Sequence, residues 1–184
     1  MAAAVLVPVK AFARAKLRLA PAMPAAQREA LARSMAEVVL RAAAPLPTAV
    51  VCDDEDVAAW AAGHGVDVVW APGLGLNGAV EAGVHHLAER GAAHVTVAHA
   101  DLPLAEDLTW VPDFDGITLV PDRRDDGTNV IGVPVDAGFR FSYGPGSFAR
   151  HRATAEALSV PVRVVRDVQL AWDVDVPDDL PVAP

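Results

Sequence analysis

Short apolar runs alternate with helical patterns along almost the whole chain. The predicted strands span 3–9, 48–52, 66–70, 93–100, 116–121, 128–135 and 162–166, and the predicted helices span 24–44, 54–65, 78–91 and 147–158. A continuous apolar run such as AAVLVPV at 3–9 is typical of a strand that is buried on both faces of a sheet. The alternation therefore predicts an open α/β sheet with helices packed on both of its faces.

Composition and charge restrict the class of protein. With 184 residues, of which 53% are hydrophobic and 21% charged, the chain is expected to form one globular domain over residues 1–184. A net charge of −9 and the lack of a long basic run argue against a nucleic-acid polymer as partner. A nucleotide that binds together with Mg²⁺ remains compatible with this charge.

Cysteine usage and the length of the apolar runs indicate the compartment. The single cysteine, Cys52, excludes a disulfide within the chain and a cysteine-based zinc cluster. No apolar run reaches the length of a membrane span, and the opening MAAAVLVPV lacks the basic start of a secretory signal. These features predict a cytoplasmic protein with no membrane partner.

Both lysines of the chain lie in one short stretch, VPVKAFARAKLRLA, directly after the first predicted strand. They are Lys10 and Lys16, and arginine supplies every other permanent positive side chain. With only two lysines, this clustering can arise by chance. The alternative is that the fold needs a compact ammonium here, of the kind that binds phosphate as a point charge.

Polar residues that directly follow strands are candidate site residues, because ligands of open α/β sheets bind beyond the carboxyl ends of the strands. These residues are Lys10, Asp53, Asn77, Asp101 and Asp122. Asp101 stands at the end of an apolar strand and shortly before Pro103. By itself, Asp101 is equally compatible with an acid that starts a turn and with a carboxylate that binds a hard cation through oxygen.

A second acidic group, in LAWDVDVPDDL, contains Asp173 and Asp175. In an extended segment these two side chains point to the same side, and their charges repel unless a cation or a proton lies between them. Their apolar flanks indicate a half-buried pair and favour a metal site over a solvated acidic turn. Because no His or Cys accompanies them, Mg²⁺ or Mn²⁺ is favoured over zinc. Asp178 and Asp179 are interpreted as acids at a helix start.

Two further segments have features of an anion site. RRDDGTNVIGVPV places Thr128 and Asn129 where a loop enters a strand, and FSYGPGSFARHR places Gly144 and Ser147 before a helix. Backbone N–H groups at a helix start bind phosphate or carboxylate. The alternative is an ordinary Gly-Pro turn with Ser147 as the N-cap and a solvated basic helix face that carries His151.

The motifs PVKAFARAKLRLA, GLN, ADLPL, GTN, YGPGSFARHR and DVDVPDDL occur in this order, and together they resemble one family. The chain is similar to the guanylyltransferases of coenzyme F(420) biosynthesis, which use 2-phospho-L-lactate or phosphoenolpyruvate. The resemblance covers roughly residues 5–180 and implies a three-layer α/β/α fold with a mostly parallel sheet. That fold is the one of nucleotide-diphospho-sugar transferases and molybdopterin guanylyltransferases.

The resemblance also implies roles for individual residues. Nucleotide binding is assigned to Lys10, Lys16, Arg18 and Asn77. Mg²⁺ binding, with two ions, is assigned to Asp101, Asp173 and Asp175. Binding of a three-carbon phosphorylated acid is assigned to Thr128, Gly144 and Ser147. Lys16 and Asp101 are the implied catalytic residues, and His99 has no assigned role.

The implied reaction transfers GMP from GTP to phosphoenolpyruvate in coenzyme F(420) biosynthesis, with hand-off to the downstream transferase of the pathway. The sequence does not distinguish phosphoenolpyruvate from 2-phospholactate or 3-phosphoglycerate, and it does not give the oligomeric state. Two other functions stay open: a nucleotide-binding regulator without catalysis, and a sugar-1-phosphate nucleotidyltransferase on the same fold.

Overall fold

The structure, a computed structural model, describes residues 2–180, and in this range the backbone forms one seven-stranded sheet. The strands are β1 (Ala3–Pro8), β2 (Thr48–Cys52), β3 (Asp67–Trp70), β4 (His94–Ala98), β5 (Ile117–Pro121), β6 (Thr128–Pro134) and β7 (Val162–Val164). Their order across the sheet is β3-β2-β1-β4-β6-β5-β7. Within the described range all strands run parallel except β6, which is antiparallel to both of its neighbours.

Four α-helices connect the strands of residues 2–180. They are α1 (Ala25–Ala43), α2 (Glu55–Gly63), α3 (Gly75–Glu89) and α4 (Ser147–Glu156). The predicted helix start at residue 78 was wrong. Helix α3 begins at Gly75 and therefore includes Asn77, which lies before the predicted start. Leu74 precedes this helix without a side-chain cap, so no local signal marks the beginning.

The helices cover both faces of the sheet. Val5 and Val7 of β1 contribute to an apolar cluster with α1 and α2, whereas Leu6 contributes to a second cluster with α3 and α4. All three side chains are fully buried. Burial on both faces explains why β1 has no polar alternation in its sequence, and it confirms the predicted three-layer arrangement.

Helix α3 lies very close to β1. A Cβ added to Gly83 would be 2.5 Å from a methyl carbon of Leu6. Because that distance is shorter than real Cβ contacts, Gly83 lets the helix pack directly on the central strand. None of the helices in residues 2–180 is long and apolar enough to cross a lipid bilayer.

The antiparallel direction of β6 determines which residues meet at the carboxyl edge of the sheet. Thr128 begins β6 at the edge where β5 ends, since it pairs with Pro121. The backbone N–H of His99, directly after β4, donates to the carbonyl of Asn129 at 3.0 Å. Segments after β4 and β5 and before β6 therefore share one edge, as the sheet rule predicts.

Candidate active site

Lys16 lies among carboxylates at this edge. Its ammonium donates to Asp101 Oδ2 at 2.5 Å and to Asp175 Oδ1 at 3.1 Å. The Lys16 side chain is only 9% exposed, and its backbone has a left-handed φ of 54°, which a lysine adopts only where tertiary contacts hold it. The structure thus brings three of the predicted site residues together, although they are far apart in the sequence.

The pair of Lys16 and Asp101 is charged. Burial is the largest single influence and disfavours the ammonium of Lys16, but the charges and hydrogen bonds of Asp101 and Asp175 together outweigh it and raise the pKa of Lys16 above its ordinary value. Burial likewise opposes ionisation of Asp101, but the charges of Lys16 and His99 and the hydrogen bond from Lys16 together overcome it, so the pKa of Asp101 is lowered. The two directions agree with each other and describe a stable ion pair at neutral pH.

Asp173 completes the acidic cluster. It is buried, as the flanking apolar residues predict, whereas the Asp175 side chain is 44% exposed. Burial raises the pKa of Asp173, and the nearby charges of Asp101 and Asp175 raise it further. A guanidinium nitrogen of Arg123 lies 4.0 Å from Asp173 Oδ1, so a closer cation would further favour the ionised carboxylate at neutral pH.

Two oxygens of this cluster fit a hard cation. Oδ1 of Asp101 and Oδ1 of Asp173 are buried and have no hydrogen-bond partner within residues 2–180. Carboxylate oxygens are the ligands that Mg²⁺ prefers. In the same described range, no three His, Cys, Asp or Glu side chains are arranged as a metal site. One oxygen of Asp175 is instead hydrogen-bonded to Lys16.

A cleft of about 420 Å³ opens beside Lys16. Lys10, Arg14, Arg18, His99 and Asp101 are among the residues that line it. A guanidinium nitrogen of Arg18 lies 3.7 Å from Asp175 Oδ2, and Lys10 is exposed. The cleft is therefore lined both by basic side chains of the loop after β1 and by the carboxylates of Asp101 and Asp175.

A smaller cleft of about 240 Å³ adjoins the first on the side of β2 and α3. Lys10 and Arg14 line both clefts, and Asp53 and Gly75 line the smaller one. Arg14 was not among the residues predicted to bind the nucleotide. Its position between the two lysines of the same short stretch could have indicated it.

Asn77, predicted to bind nucleotide, is hydrogen-bonded in the structure to the segment that precedes Gly144. Its Oδ1 accepts a hydrogen bond from the backbone N–H of Tyr143 at 2.7 Å. Asn77 therefore ties the first turn of α3 to the segment that leads into Gly144. The neighbouring residue Leu76 lines both clefts instead.

Thr128 lies in a buried hydrogen-bond network. His151 Nε2 accepts from the backbone N–H of Ser142 at 2.8 Å, which leaves the ring proton on Nδ1 to donate to Thr128 Oγ1 at 3.0 Å. The Thr128 hydroxyl proton is then available to another acceptor. His151 is fully buried, and burial lowers its pKa to about 4. Its interpretation as part of a solvated basic face was wrong.

The start of α4 is held from within the protein. The backbone N–H of Gly146 donates to Asp126 Oδ1 at 3.1 Å, and that of Phe148 donates to the Asp126 carbonyl at 3.0 Å. Ser147 is buried and is not the N-cap, which is Gly146 in a left-handed conformation. The Ser147 cap was therefore a wrong interpretation. The loop before β6 fixes the segment that contains Gly144 and Ser147.

His99 and Asp179 were not predicted to act in the site. The His99 ring packs at 4.9 Å from the Tyr143 ring, beside Asp101 in the larger cleft. Asp179, interpreted as an acid at a helix start, does belong to a short 3₁₀ turn, Pro177–Asp179. It is nevertheless completely buried and paired with two arginines, so it is no solvated cap.

Comparison with known proteins places this geometry in context. The family model described as guanylyl transferase CofC like matches residues 3–182. The phosphoenolpyruvate guanylyltransferase of Sphaerobacter thermophilus is 37% identical over 185 residues, which cover 95% of this chain and 89% of that protein. The phosphoenolpyruvate guanylyltransferase of Roseiflexus sp. is 36% identical over 184 residues, covering 95% of this chain and 82% of that protein.

Solved structures share the fold. A protein described as a nucleotide-diphospho-sugar transferase from Desulfovibrio desulfuricans G20 superposes with a TM-score of 0.74 at 18% identity, covering 95% of this chain and 82% of that chain. A cytidylyltransferase from Leptospira borgpetersenii superposes with a TM-score of 0.64 at 12% identity, covering 97% and 83%. The fold is thus that of the nucleotide-diphospho-sugar transferases, as the sequence motifs imply.

Proposed function

Because the chain belongs to the CofC-like guanylyl transferase family and is a nucleotidyltransferase, we propose that it transfers GMP from GTP to phosphoenolpyruvate. The products are enolpyruvoyl-diphospho-5'-guanosine and pyrophosphate. The observation that carries the proposal is the position of Lys16, buried between Asp101 and Asp175 at the mouth of a basic cleft. Positive charge for phosphates and carboxylates for a divalent cation are then adjacent.

The nucleotide occupies the two adjoining clefts. Lys10 and Arg14 line both of them, so they contact the triphosphate from the loop after β1. The smaller cleft, between the ends of β2 and β3 and the start of α3, accepts the nucleoside. Lys16, which donates to Asp101 and Asp175 in the structure, exchanges one of these carboxylates for a phosphate oxygen when GTP binds.

The acceptor binds on the other side of Asp101. Thr128 supports this assignment, because His151 orients its oxygen as an acceptor and leaves the hydroxyl proton as a donor for an anion. Asp126 holds the segment of Gly144 and Ser147 beside it. The carboxylate of the three-carbon acid is bound by these groups, and its phosphate points toward Asp101.

Asp101, Asp173 and Asp175 would hold Mg²⁺, of which we propose two ions. Two buried oxygens, Asp101 Oδ1 and Asp173 Oδ1, have no hydrogen-bond partner within residues 2–180, and together with the raised pKa of Asp173 they support this assignment. When bound, Mg²⁺ neutralises phosphate charge and stabilises charge that develops during transfer. Asp175 would contribute the oxygen that Lys16 does not bind.

In the chemical step, a phosphate oxygen of the acceptor attacks the α-phosphorus of GTP in line, and the bond to the leaving pyrophosphate breaks. The attacking oxygen is already ionised near neutral pH, so no side chain has to remove a proton. The protein aligns two anions that repel each other, with Lys16, Lys10 and Arg14 reducing the repulsion.

Pyrophosphate release tests this proposal. The protein is incubated with Mg²⁺ and GTP, and phosphoenolpyruvate, 2-phospho-L-lactate or 3-phosphoglycerate is added in separate reactions. We expect the highest kcat/KM with phosphoenolpyruvate. A clear preference for 2-phospholactate would replace the acceptor and keep the guanylyltransferase activity. GTP binding without pyrophosphate release from any acid would instead favour a regulator.

The biological setting follows from the same proposal. A guanylylated three-carbon acid is an activated phosphodiester donor, so a downstream transferase must consume it. We place this reaction in coenzyme F(420) biosynthesis, in the cytoplasm, with direct hand-off of the product. Thermal shift with GTP, CTP and UTP distinguishes the alternative of a sugar-1-phosphate nucleotidyltransferase, for which another nucleotide would stabilise the protein most.

A further inference from the structure

Asp179 is the most highly connected carboxylate outside the proposed catalytic set. It is fully buried, and its Oδ1 is paired with Arg123 and with Arg124, the latter at 2.8 Å. Its Oδ2 accepts the backbone N–H groups of Asp175 at 2.7 Å and Val176 at 2.9 Å. Both carboxylate oxygens are therefore used, and each binds a different part of the protein.

The bonds to Oδ2 fix the backbone that carries the acidic pair. The N–H of Asp175 is held by Asp179 itself, and the carbonyl of Asp173 accepts from Arg123 at 3.0 Å. Trp172, directly before the pair, donates its indole N–H to the Asp179 carbonyl at 3.1 Å and lies under the Arg123 guanidinium. The segment 172–176 has no regular secondary structure of its own, so these contacts define its conformation.

The hydrogen bonds to Asp179 Oδ1 come from the loop that holds the proposed acceptor segment. Arg123 and Arg124 belong to the loop between β5 and β6, where Asp122 accepts three backbone N–H groups of the same loop. One of these N–H groups belongs to Asp126, which in turn holds the start of α4. A continuous set of polar contacts therefore joins the acidic segment to the proposed acceptor segment.

We propose that Asp179, acting through Arg123, is a positioning residue that sets the backbone of Asp173 and Asp175 for cation binding and links it to the acceptor loop. This inference rests on the proposed function, in which those two carboxylates hold Mg²⁺. Asp179 does not contact the substrates or the cation. Residues that hydrogen-bond to metal ligands without contacting the metal strongly affect metal affinity.

The charge state of Asp179 fits this role. Burial opposes its ionisation, but the N–H groups of Val176 and Asp175 and the guanidinium of Arg124 overcome this effect and lower its pKa. The carboxylate is thus charged at neutral pH, with no spare oxygen for a cation. An asparagine keeps its shape, but it removes the charge and replaces one acceptor oxygen by a donor group.

The test measures cation binding directly. Mn²⁺ is titrated into the Asp179→Asn protein without nucleotide, and free Mn²⁺ is followed by electron paramagnetic resonance. We expect the Mn²⁺ affinity to fall about tenfold or more, with circular dichroism unchanged. The matched control is Arg166→Gln, which removes an exposed pair with Asp125 of the same loop and leaves the acidic segment untouched.

Arg123→Lys is the second variant, in case Asp179→Asn does not fold. It keeps the charge but cannot bind the Asp173 carbonyl and Asp179 together, so a smaller loss of Mn²⁺ affinity is expected. Wild-type Mn²⁺ affinity in a folded Asp179→Asn or Arg123→Lys protein would overturn the proposal. A wild-type protein that binds Mn²⁺ but releases no pyrophosphate would instead refute the proposed reaction and leave this inference standing.

Discussion

The ammonium of Lys16 forms a partly buried ion pair, and the proposed function gives the same group a role in substrate binding. It neutralises Asp101 in a partly buried site, and Asp101 is one of the groups assigned to the cation. A buried carboxylate that loses its only cationic partner is costly, because its desolvation is no longer compensated. The same lysine is assigned to the GTP phosphates. Its substitution therefore affects both stability and substrate binding.

Lys16→Met should lower the free energy of unfolding at pH 7 by about 1–3 kcal/mol, because Asp101 is left without its counter-charge. The lowered pKa of Asp101 stabilises the fold above the unfolded value of 3.8, and this contribution is lost as the pH falls through the folded pKa. The effect of the substitution should therefore shrink in acid. Urea denaturation at pH 7 and near pH 3 measures it.

The matched control is Arg152→Met, which removes an exposed pair with Glu156. Exposed pairs on one helix contribute only about 0.3–0.5 kcal/mol. Equal losses for the two variants at pH 7 would show that Lys16 is not a buried ion-pair partner.

Asp173→Asn should increase stability while it abolishes turnover. The pKa of Asp173 is raised by burial and by Asp101 and Asp175, so its ionised form destabilises the native state as the pH rises through that pKa. Removing the charge should increase the free energy of unfolding at pH 7, on the order of 1 kcal/mol. No gain is expected below the unfolded pKa, where Asp173 is protonated in both states.

Denaturation with urea at both pH values and pyrophosphate release at limiting Mg²⁺ check this prediction. Asp178→Asn, at an exposed neighbouring position, should change neither quantity. Near-normal turnover of Asp173→Asn would remove this residue from the proposed cation site.

At the scale of elements, the contact between α3 and β1 determines the position of the smaller cleft, which we propose to bind the nucleoside. Helix α3 begins at the smaller cleft, and Gly83, two turns later, packs directly on Leu6 of β1. Leu6 is fully buried in the centre of the sheet, so it has little freedom to move. A larger residue at position 83 must therefore displace the helix or the strand.

Gly83→Ala should destabilise the protein by about 1–3 kcal/mol through overpacking, even though alanine is favoured over glycine in a helix by about 1 kcal/mol. Gly63→Ala, near the end of α2, is the control, because a Cβ there meets nothing within 4 Å. That control should be neutral or slightly stabilising. Chemical denaturation compares the two, and a stabilised Gly83→Ala protein would contradict the close packing.

At the scale of the whole molecule, the proposed function divides the carboxyl edge of the sheet into a nucleotide half and an acceptor half. In this proposal, the loop after β1 and the start of α3 form the nucleotide half, and the segments around β6 and α4 form the acceptor half. The carboxylates of Asp101 and the acidic segment lie between the halves. Two anionic substrates can then approach each other only at this boundary.

Substitutions in the two halves should therefore separate the two substrates. Arg14→Met should weaken GTP binding measured by calorimetry, since Arg14 lines both clefts of the nucleotide half. Ser147→Ala should leave GTP affinity nearly unchanged and raise the KM for the acid. A single lost hydrogen bond to a charged group corresponds to about 1.5–3 kcal/mol, or roughly a 10–150-fold change. If either variant bound both GTP and the acid more weakly to the same extent, the proposed division into a nucleotide half and an acceptor half would be contradicted.

The sequence by itself determined the strands, the helices and the family. Apolar runs, a proline at a helix start and glycines at helix ends act over a few residues, so β1 and α1 are predictable without knowledge of the rest. The one misplaced helix start, at Gly75, lacks a cap that sequence could reveal. The motif order was likewise sufficient to identify the family.

Only the tertiary structure decided which charged and polar groups are partners. Lys16 bonds to carboxylates 85 and 159 residues away. Asp179 was interpreted as an acid at a helix start and His151 as part of a solvated basic face. The arginine partners of Asp179 lie 55 and 56 residues away, and the Thr128 partner of His151 lies 23 residues away. A local pattern reports which face of an element is apolar. It does not report desolvation or the nearest opposite charge, since both depend on which distant segments the sheet brings to one edge.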